Sequence, residues 1–361
     1  MTDITAPLRR GWTTGACATA AVKAAFGALA GRGFADPVFI RLPRGGSAGF
    51  ALAERKLEPG SATAAIVKDA GDDPDVTHGC LVRATVRWNV AGAGITFHAG
   101  EGVGTVTRAG LPIPPGEAAI NPVPRQMMRQ VVEEIAGETQ RSPDVAITIA
   151  IPGGEALATK TLNGRLGIVG GLSILGTTGV VVPYSCAAWI HSIHRGIDVA
   201  RAAGLTHVAA ATGSTSEQAV RQLYGLDEMA LLDMGDFVGG TMKYLRRHPI
   251  PRLSLAGGFA KLAKLAQGHV DLHSARSRLD QPLLAEFAAG HGASGAVAAA
   301  IAGANTAGQS LSLAADAGFP LGDLVAARAA EVGRELVGST IAVEVIVVDR
   351  QGQIVGRAAG W

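Results

Sequence analysis

The sequence predicts a two-domain protein of mixed α/β and α+β character. An α+β domain is expected over residues 1–150 and a Rossmann-like α/β domain with a parallel sheet over 151–361. Three observations carry this expectation. The chain has 361 residues, more than one typical core organises. Its first half contains short β-branched or alternating runs separated by Gly, Pro or Asp. Its second half repeats apolar strand, Gly-containing turn and helical stretch at roughly 20 to 25 residues per step, the rhythm of parallel strands joined by crossover helices.

Taken in order, Thr14 to Leu29 is rich in small apolar residues, with Thr13 or Thr14 as N-cap and Gly31 as a stop, and predicts a helix packed closely on a sheet. Strands are expected at Val38 to Leu42, Gly49 to Leu57, Thr63 to Lys68, Leu81 to Trp88 and Ile95 to His98. A second helix is expected from Pro124 to Ala136, with proline in its first turn. Residues 152–184 are Gly-rich and carry no clear period. Strands follow at His207 to Ala211, Met229 to Leu232, Arg252 to Ala256 and Ile341 to Val348, with an Ala-rich helical stretch from Ala293 to Ala315. In such a sheet ligands meet the carboxyl ends of the strands, here Thr212-Gly213-Ser214, Asp233-Met234-Gly235 and Gly257-Gly258.

Composition removes several function classes. With 48% hydrophobic and 17% charged residues the chain has ample core material and is not disordered. A net charge of +2 without basic runs argues against wholesale nucleic-acid binding. Three cysteines, Cys17, Cys80 and Cys186, are odd in number and far apart, which argues against a disulfide framework or zinc cluster and fits a reduced cytoplasm. The first apolar segment contains Lys23 and follows Arg9 and Arg10, unlike a signal peptide. No apolar stretch reaches the roughly 20 residues that span a bilayer. The expectation is a soluble, cytoplasmic protein that acts on a small molecule, with a homo-oligomer left open.

Residues 66–78, Ile-Val-Lys-Asp-Ala-Gly-Asp-Asp-Pro-Asp-Val-Thr-His, run an apolar strand into Asp69, Asp72, Asp73 and Asp75. Like-charge repulsion there must be relieved by water or a partner, so the segment is a solvated loop or a site. Three aspartates suit a hard cation, but the EF-hand loop and terminal Glu are missing, and no metal site is expected. Gly100 to Thr105 and Gly167 to Gly179 are dense in glycine, which either lets backbone approach a ligand or makes tight turns and close packing. Neither has a Walker lysine or a complete dinucleotide fingerprint. Glu101 lies between two glycines and suits a base or a partner for a cationic ligand. Arg125 starts a helix, where a guanidinium can take a carboxylate. His191 and His194 have metal-binding spacing but no third ligand nearby. His78 and His273 sit in polar turns suited to hydrogen bonding. Cys17 reads as a buried structural thiol.

Together, Gly11-Trp12-Thr13-Thr14-Gly15-Ala16-Cys17, Val67 through His78, Gly100-Glu101-Gly102-Val103-Gly104, Ala119 through Arg125, and Leu166 to Gly179 resemble the cobalt-precorrin-5B C-1-methyltransferase (CbiD) family in order and approximate spacing across roughly residues 8–275. One region departs. Where family members tend to carry Gly-His-x-Gly-Lys and then Thr-His-Ser, this chain has Gly257-Gly258-Phe259-Ala260-Lys261 and Leu272-His273-Ser274. The resemblance implies an N-terminal domain like ribosomal protein S5 domain 2 and a Rossmann-like C-terminal domain. It implies transfer of a methyl group from S-adenosyl-L-methionine to C-1 of a tetrapyrrole, cobalt-precorrin-5B, in cobalamin biosynthesis. The activated methyl needs alignment and exclusion of water rather than a covalent nucleophile.

On that basis Asp72, Asp73, His78 and Glu101 are the catalytic candidates. Gly170, Gly171, Ser173, Gly176, Thr177, Thr178, Thr212, Gly213 and Asp236 are the cofactor candidates. Thr13, Thr14, Lys68, Arg125, Lys261 and His273 are the substrate candidates, with Lys160 and Arg165 as further anchors for carboxylates. Two alternatives stay open. A nucleotide-dependent oxidoreductase requires an acidic residue at the end of the second strand of the parallel sheet, with Asp233 and Asp236 both in range. A non-catalytic corrinoid carrier requires macrocycle binding alone.

Overall fold

A computed structural model describes residues 7–361 of the chain. They divide into two compact units, the first ending at Cys186 and the second comprising Ala187–Trp361. The division therefore falls after the Gly-rich segment and not at the expected 150/151. The reason is strand pairing within the first unit, where residues 168–181 return to pair with 105–106 and 11–12 and bury Leu172 and Ile174 in its core.

The first unit contains β1 (Gly11–Trp12), α1 (Thr14–Leu29), β2 (Val38–Arg41), β3 (Ser47–Phe50), β4 (Glu54–Glu58), β5 (Ser61–Val67), β6 (Leu81–Trp88), β7 (Ile95–Ala99), β8 (Thr105–Val106), α2 (Pro122–Thr139), β9 (Val145–Ala150), α3 (Gly154–Ala158), β10 (Ile168–Val169) and β11 (Val180–Val181). Its main sheet has the order β4-β5-β6-β9-β7, antiparallel except for the β7–β9 pair. Helix α1 packs on β5 and β6 and against α2. Nearly every residue of α1 is buried, which its Ala, Gly, Thr and Cys side chains permit because they let neighbours approach from all sides. Thr13 is its N-cap, accepting from the Ala16 amide at 3.2 Å.

The expected strand from Gly49 to Leu57 is two strands. Residues 47–50 pair with β2 and residues 54–58 with β5, so the chain changes sheets between them. Strand β9 was not anticipated, yet its buried Val145, Ile147 and Ile149 alternate with half-exposed residues between β6 and β7.

The second unit contains α4 (Cys186–Ala202), β12 (His207–Ala211), α5 (Ser214–Tyr224), a short 3-10 turn at Glu228–Ala230, β13 (Leu231–Asp233), α6 (Val238–Arg247), β14 (Arg252–Gly258) and α7 (Phe259–Ala266). It continues through α8 (Gln281–Gly290), α9 (Gly295–Ala302), α10 (Ala307–Asp316), α11 (Leu321–Val337), β15 (Ala342–Val348) and β16 (Ile354–Ala358). Strands run in the order β13-β12-β14-β15-β16, the first four parallel and β16 an antiparallel edge. By chain order this is 2-1-3-4-5, and the order reverses between β12 and β14. Helix α5 covers one face, where Val220 meets Ala209, Ala256 and Ile346, while α4, α6, α7 and α11 build the larger core on the other. The Met229 to Leu232 strand starts later, at Leu231, because residues 228–230 close a 3-10 turn. The Ala-rich stretch is two helices, the second restarted by Thr306, whose hydroxyl accepts from the Gln309 amide. No helix among the described residues is long and apolar enough to cross a membrane.

Candidate functional site

The carboxyl edge of the second unit's parallel sheet offers the more open geometry. Gly213 follows β12 with extended backbone (φ 167°), and a Cβ placed there meets nothing within 4 Å, as is also true at Gly258, the last residue of β14. These positions flank the point where the strand order reverses, so backbone is accessible where such sheets bind ligands. Strand β13 ends on Asp233, whose carbonyl accepts from Trp189 Nε1 at 3.0 Å. Lys261 Nζ donates to the Thr212 carbonyl at 2.8 Å and lies 3.0 Å from Asp236 Oδ1, tying the turns after β12 and β13 to α7. The segment after α7 closes on the same turn, with the Leu272 amide on the Asp236 carbonyl at 3.0 Å and the exposed His273 beside it. Thr212, Gly213, Asp236, Lys261 and His273 are thus gathered along one edge. Sequence reasoning missed Lys264, a buried ammonium donating to the Leu272 carbonyl at 3.0 Å. Its only sequence signal is a lysine amid the apolar run of α7.

The aspartate-rich loop of the first unit is a network rather than a row of uncompensated charges. Asp69 takes a bidentate bond from Arg9 and a 2.9 Å bond from the Gly71 amide. The Arg9 guanidinium, then the Gly71 amide, hold the Asp69 carboxyl down to about 2. Asp72 accepts from the Arg9 amide at 2.6 Å and Asp73 from the Tyr184 amide at 2.9 Å. Asp75 accepts from Lys68 Nζ at 2.5 Å and from the Thr77 amide and hydroxyl. Burial works to raise the Asp75 carboxyl, but Lys68 and Thr77 outweigh it and hold it low. His78 Nδ1 accepts from the Ala70 amide at 3.1 Å, which puts the proton of the neutral ring on Nε2 and makes the exposed edge a hydrogen-bond donor. Asp72 and Asp73 likewise spend an oxygen each on backbone. Glu101 is exposed, with no hydrogen-bond partner for its carboxylate among the described residues. No cluster of three or more metal-ligating side chains occurs among the described residues.

Several expected ligand contacts are structural. Lys68 is 1% exposed and committed to Asp75, so it does not reach a substrate from the surface. Arg125 is turned onto its own loop, bonding the Ile120 and Ala118 carbonyls and Glu117 and lying over the Phe97 ring. Thr13 caps α1, and Thr14 Oγ1 both donates to the Leu175 carbonyl and accepts from its amide. The glycine loops pack on one another. A Cβ on Gly171 would lie 2.4 Å from Gly102 backbone, and one on Gly176 would strike Thr13 Oγ1 at 2.2 Å. Thr178 bonds Val180 at both its amide and carbonyl, and Ser173 lies 3.5 Å from Asn163 Oδ1. Of this group Gly170 has open space around it and Thr177 is exposed. Burial pushes the Cys17 thiol up to about 12, against the pull of Lys68, which makes it inert as expected. His194 stacks on Tyr244 at 3.9 Å, a packing role.

Comparison with known proteins bears on both units. The CbiD family model matches residues 1–183, over half of the chain, and the model of the CbiD C-terminal domain matches residues 271–359. The chain belongs to the CbiD family. Cobalt-precorrin-5B C(1)-methyltransferase of Paramagnetospirillum magneticum is 59% identical over 97% of this chain and 98% of that protein. The protein of the same name from a Bradyrhizobium strain is 59% identical over 98% of this chain and 94% of that protein. A crystal structure of cobalamin biosynthesis protein (cbiD) from Archaeoglobus fulgidus is 27% identical, covering 74% of this chain and 83% of that one, with a TM-score of 0.40. In this CbiD chain Lys261 and His273 both lie on the sheet edge although the 257–261 sequence departs from the pattern. Gly257 there packs against Thr212, its Cβ position 2.9 Å from Thr212 Oγ1.

Proposed function

We propose that this CbiD chain is an S-adenosyl-L-methionine-dependent C-methyltransferase that methylates C-1 of cobalt-precorrin-5B to give cobalt-precorrin-6A in cobalamin biosynthesis. The observation that carries the reading is near-full-length identity of 59% to proteins that bear this name. The geometry is compatible with it. In doubly wound sheets an acidic residue at the end of the second strand meets the ribose of an adenosine, and Asp233 holds that position on β13. Asp236, the earlier candidate, is engaged with Lys261. Thr212 and Gly213 on one side and Gly258 on the other leave backbone open for the cofactor, which supplies an electrophilic methyl when bound. The finer fold descriptions belong to the same proposal. The 2-1-3-4 parallel order with helices on both faces supports a Rossmann-like second unit, and the mainly antiparallel sheet under α1 and α2 supports a first unit like ribosomal protein S5 domain 2.

Chemically, the protein's task is to bind, orient and exclude water, because the sulfonium methyl is already activated and the macrocycle supplies the electron-rich carbon. Lys261 and His273 offer donors for ring carboxylates, while Glu101 remains an exposed carboxylate able to accept a proton or face a cation. The experiment is incubation of the purified chain with cobalt-precorrin-5B and methyl-labelled S-adenosylmethionine. Label at C-1 of the product is expected; unlabelled corrinoid in the presence of folded protein contradicts the reading.

A further inference from the structure

Lys264 is a buried charge that the chemistry above does not use. It is 9% exposed on α7, between the buried Ala263 and Leu265, a position where an aliphatic side chain packs without desolvating an ammonium. Its Nζ donates to the Leu272 carbonyl at 3.0 Å, its one protein acceptor among the described residues. The Leu272 amide in turn donates to the Asp236 carbonyl, so both backbone groups of Leu272 are fixed. The next residue is His273. Its amide donates to Asp271 Oδ1 at 3.1 Å, and its Nδ1 accepts from the Ala275 amide at 3.2 Å. An accepting Nδ1 carries no proton, so the neutral ring bears it on Nε2 and presents a donor to solvent.

We propose that Lys264 is a positioning residue that, through Leu272, holds His273 as an outward hydrogen-bond donor and thereby builds a carboxylate-binding site on the strap 269–277. The charges nearby fit an anion. Asp271 is paired with Arg276 at 2.7 Å and Asp236 Oδ1 lies 3.0 Å from Lys261 Nζ, so a cation matches the charge of each acid, and Lys264 adds a cation with no carboxylate partner among the described residues. A fixed donor of this kind suits a carboxylate oxygen. The identification of that carboxylate with a side chain of the tetrapyrrole rests on the proposed function; the strap geometry does not.

The test uses the full chain and an octacarboxylate porphyrin as probe, read by fluorescence quenching. Asparagine places its amide where Nδ1 lies and glutamine where Nε2 lies. His273→Gln is therefore expected to bind within about threefold of the native chain, and His273→Asn about tenfold more weakly, with melting unchanged because the side chain is exposed. Lys264→Met is expected to weaken binding about as much as His273→Ala, and to add nothing when combined with it. Equal affinity of the Asn and Gln variants, additive losses in the double variant, or no porphyrin binding by the native chain would each overturn the inference. Porphyrin binding that follows this pattern in a chain that transfers no methyl would leave the strap standing and sink the methyltransferase reading instead.

Discussion

Lys68 and Asp75 show how individual side chains of the aspartate-rich loop support the fold. Lys68 is almost wholly buried at the end of β5, and Asp75 and its Thr77 bonds compensate a charge that water cannot reach. Removing one partner strands the other, so Asp75→Ala is expected to lower stability by about 3 kcal/mol, measured by urea unfolding. A loss below about 1 kcal/mol would mean the pair is not buried in solution. Asp69 makes a separate, exposed link. Its carboxyl is held down to about 2 from 3.8, with the Arg9 hydrogen bond the largest cause. Because the folded pKa is depressed, this stabilisation is complete above the ordinary value and is lost as pH falls from about 4 through about 2. Arg9→Ala is expected to return the Asp69 titration, followed by NMR, towards the ordinary carboxylate range. A carboxyl still titrating near 2 in that variant would assign the shift to the Gly71 amide instead.

At the scale of elements, glycine has opposite meanings in the two units. Residues 102–104 and 171–174 form a backbone ribbon, with Gly104 N on the Leu172 carbonyl and Leu172 N on the Gly102 carbonyl, both at 2.9 Å. Gly102 has φ +70° and lies against the Ile151 carbonyl, a contact that no other residue allows. Gly171→Ala is expected to destabilise the chain by about 3 kcal/mol because its Cβ meets immovable backbone, whereas Gly213→Val is expected to unfold at the native midpoint. Comparable midpoints for the two variants would contradict this contrast. The sequence showed that both segments needed glycine but not why, because a tight turn against backbone and a tight turn against a ligand select the same residue. Helix α1 was legible in full because its cap and composition are local. So were β6 and β12, while β13 and β14 were placed with ends shifted by about two residues. Strand β9 and the path of residues 152–184 were not, since what fixes them is pairing with β6, β8 and β1, far away in sequence. Arg125 and Lys68 looked like anchors for the same reason, their acceptors being loop carbonyls and an aspartate whose placement only the folded chain reveals.

For the whole molecule, the near-neutral charge agrees with an enzyme of small-molecule metabolism. Each unit has a substantial core of its own, one built around the small-residue helix α1 and one on either side of the parallel sheet. The proposed division of labour puts the adenosyl cofactor on the edge formed by Thr212, Gly213, Asp233 and Gly258 of the second unit. The most direct measurement is calorimetric titration of the full chain with S-adenosylhomocysteine, native and Gly213→Val side by side. Micromolar binding by the native chain, weakened at least about tenfold in the equally stable variant, is the predicted result. Equal binding by both would move the cofactor off this edge, and no binding by the native chain would contradict the account.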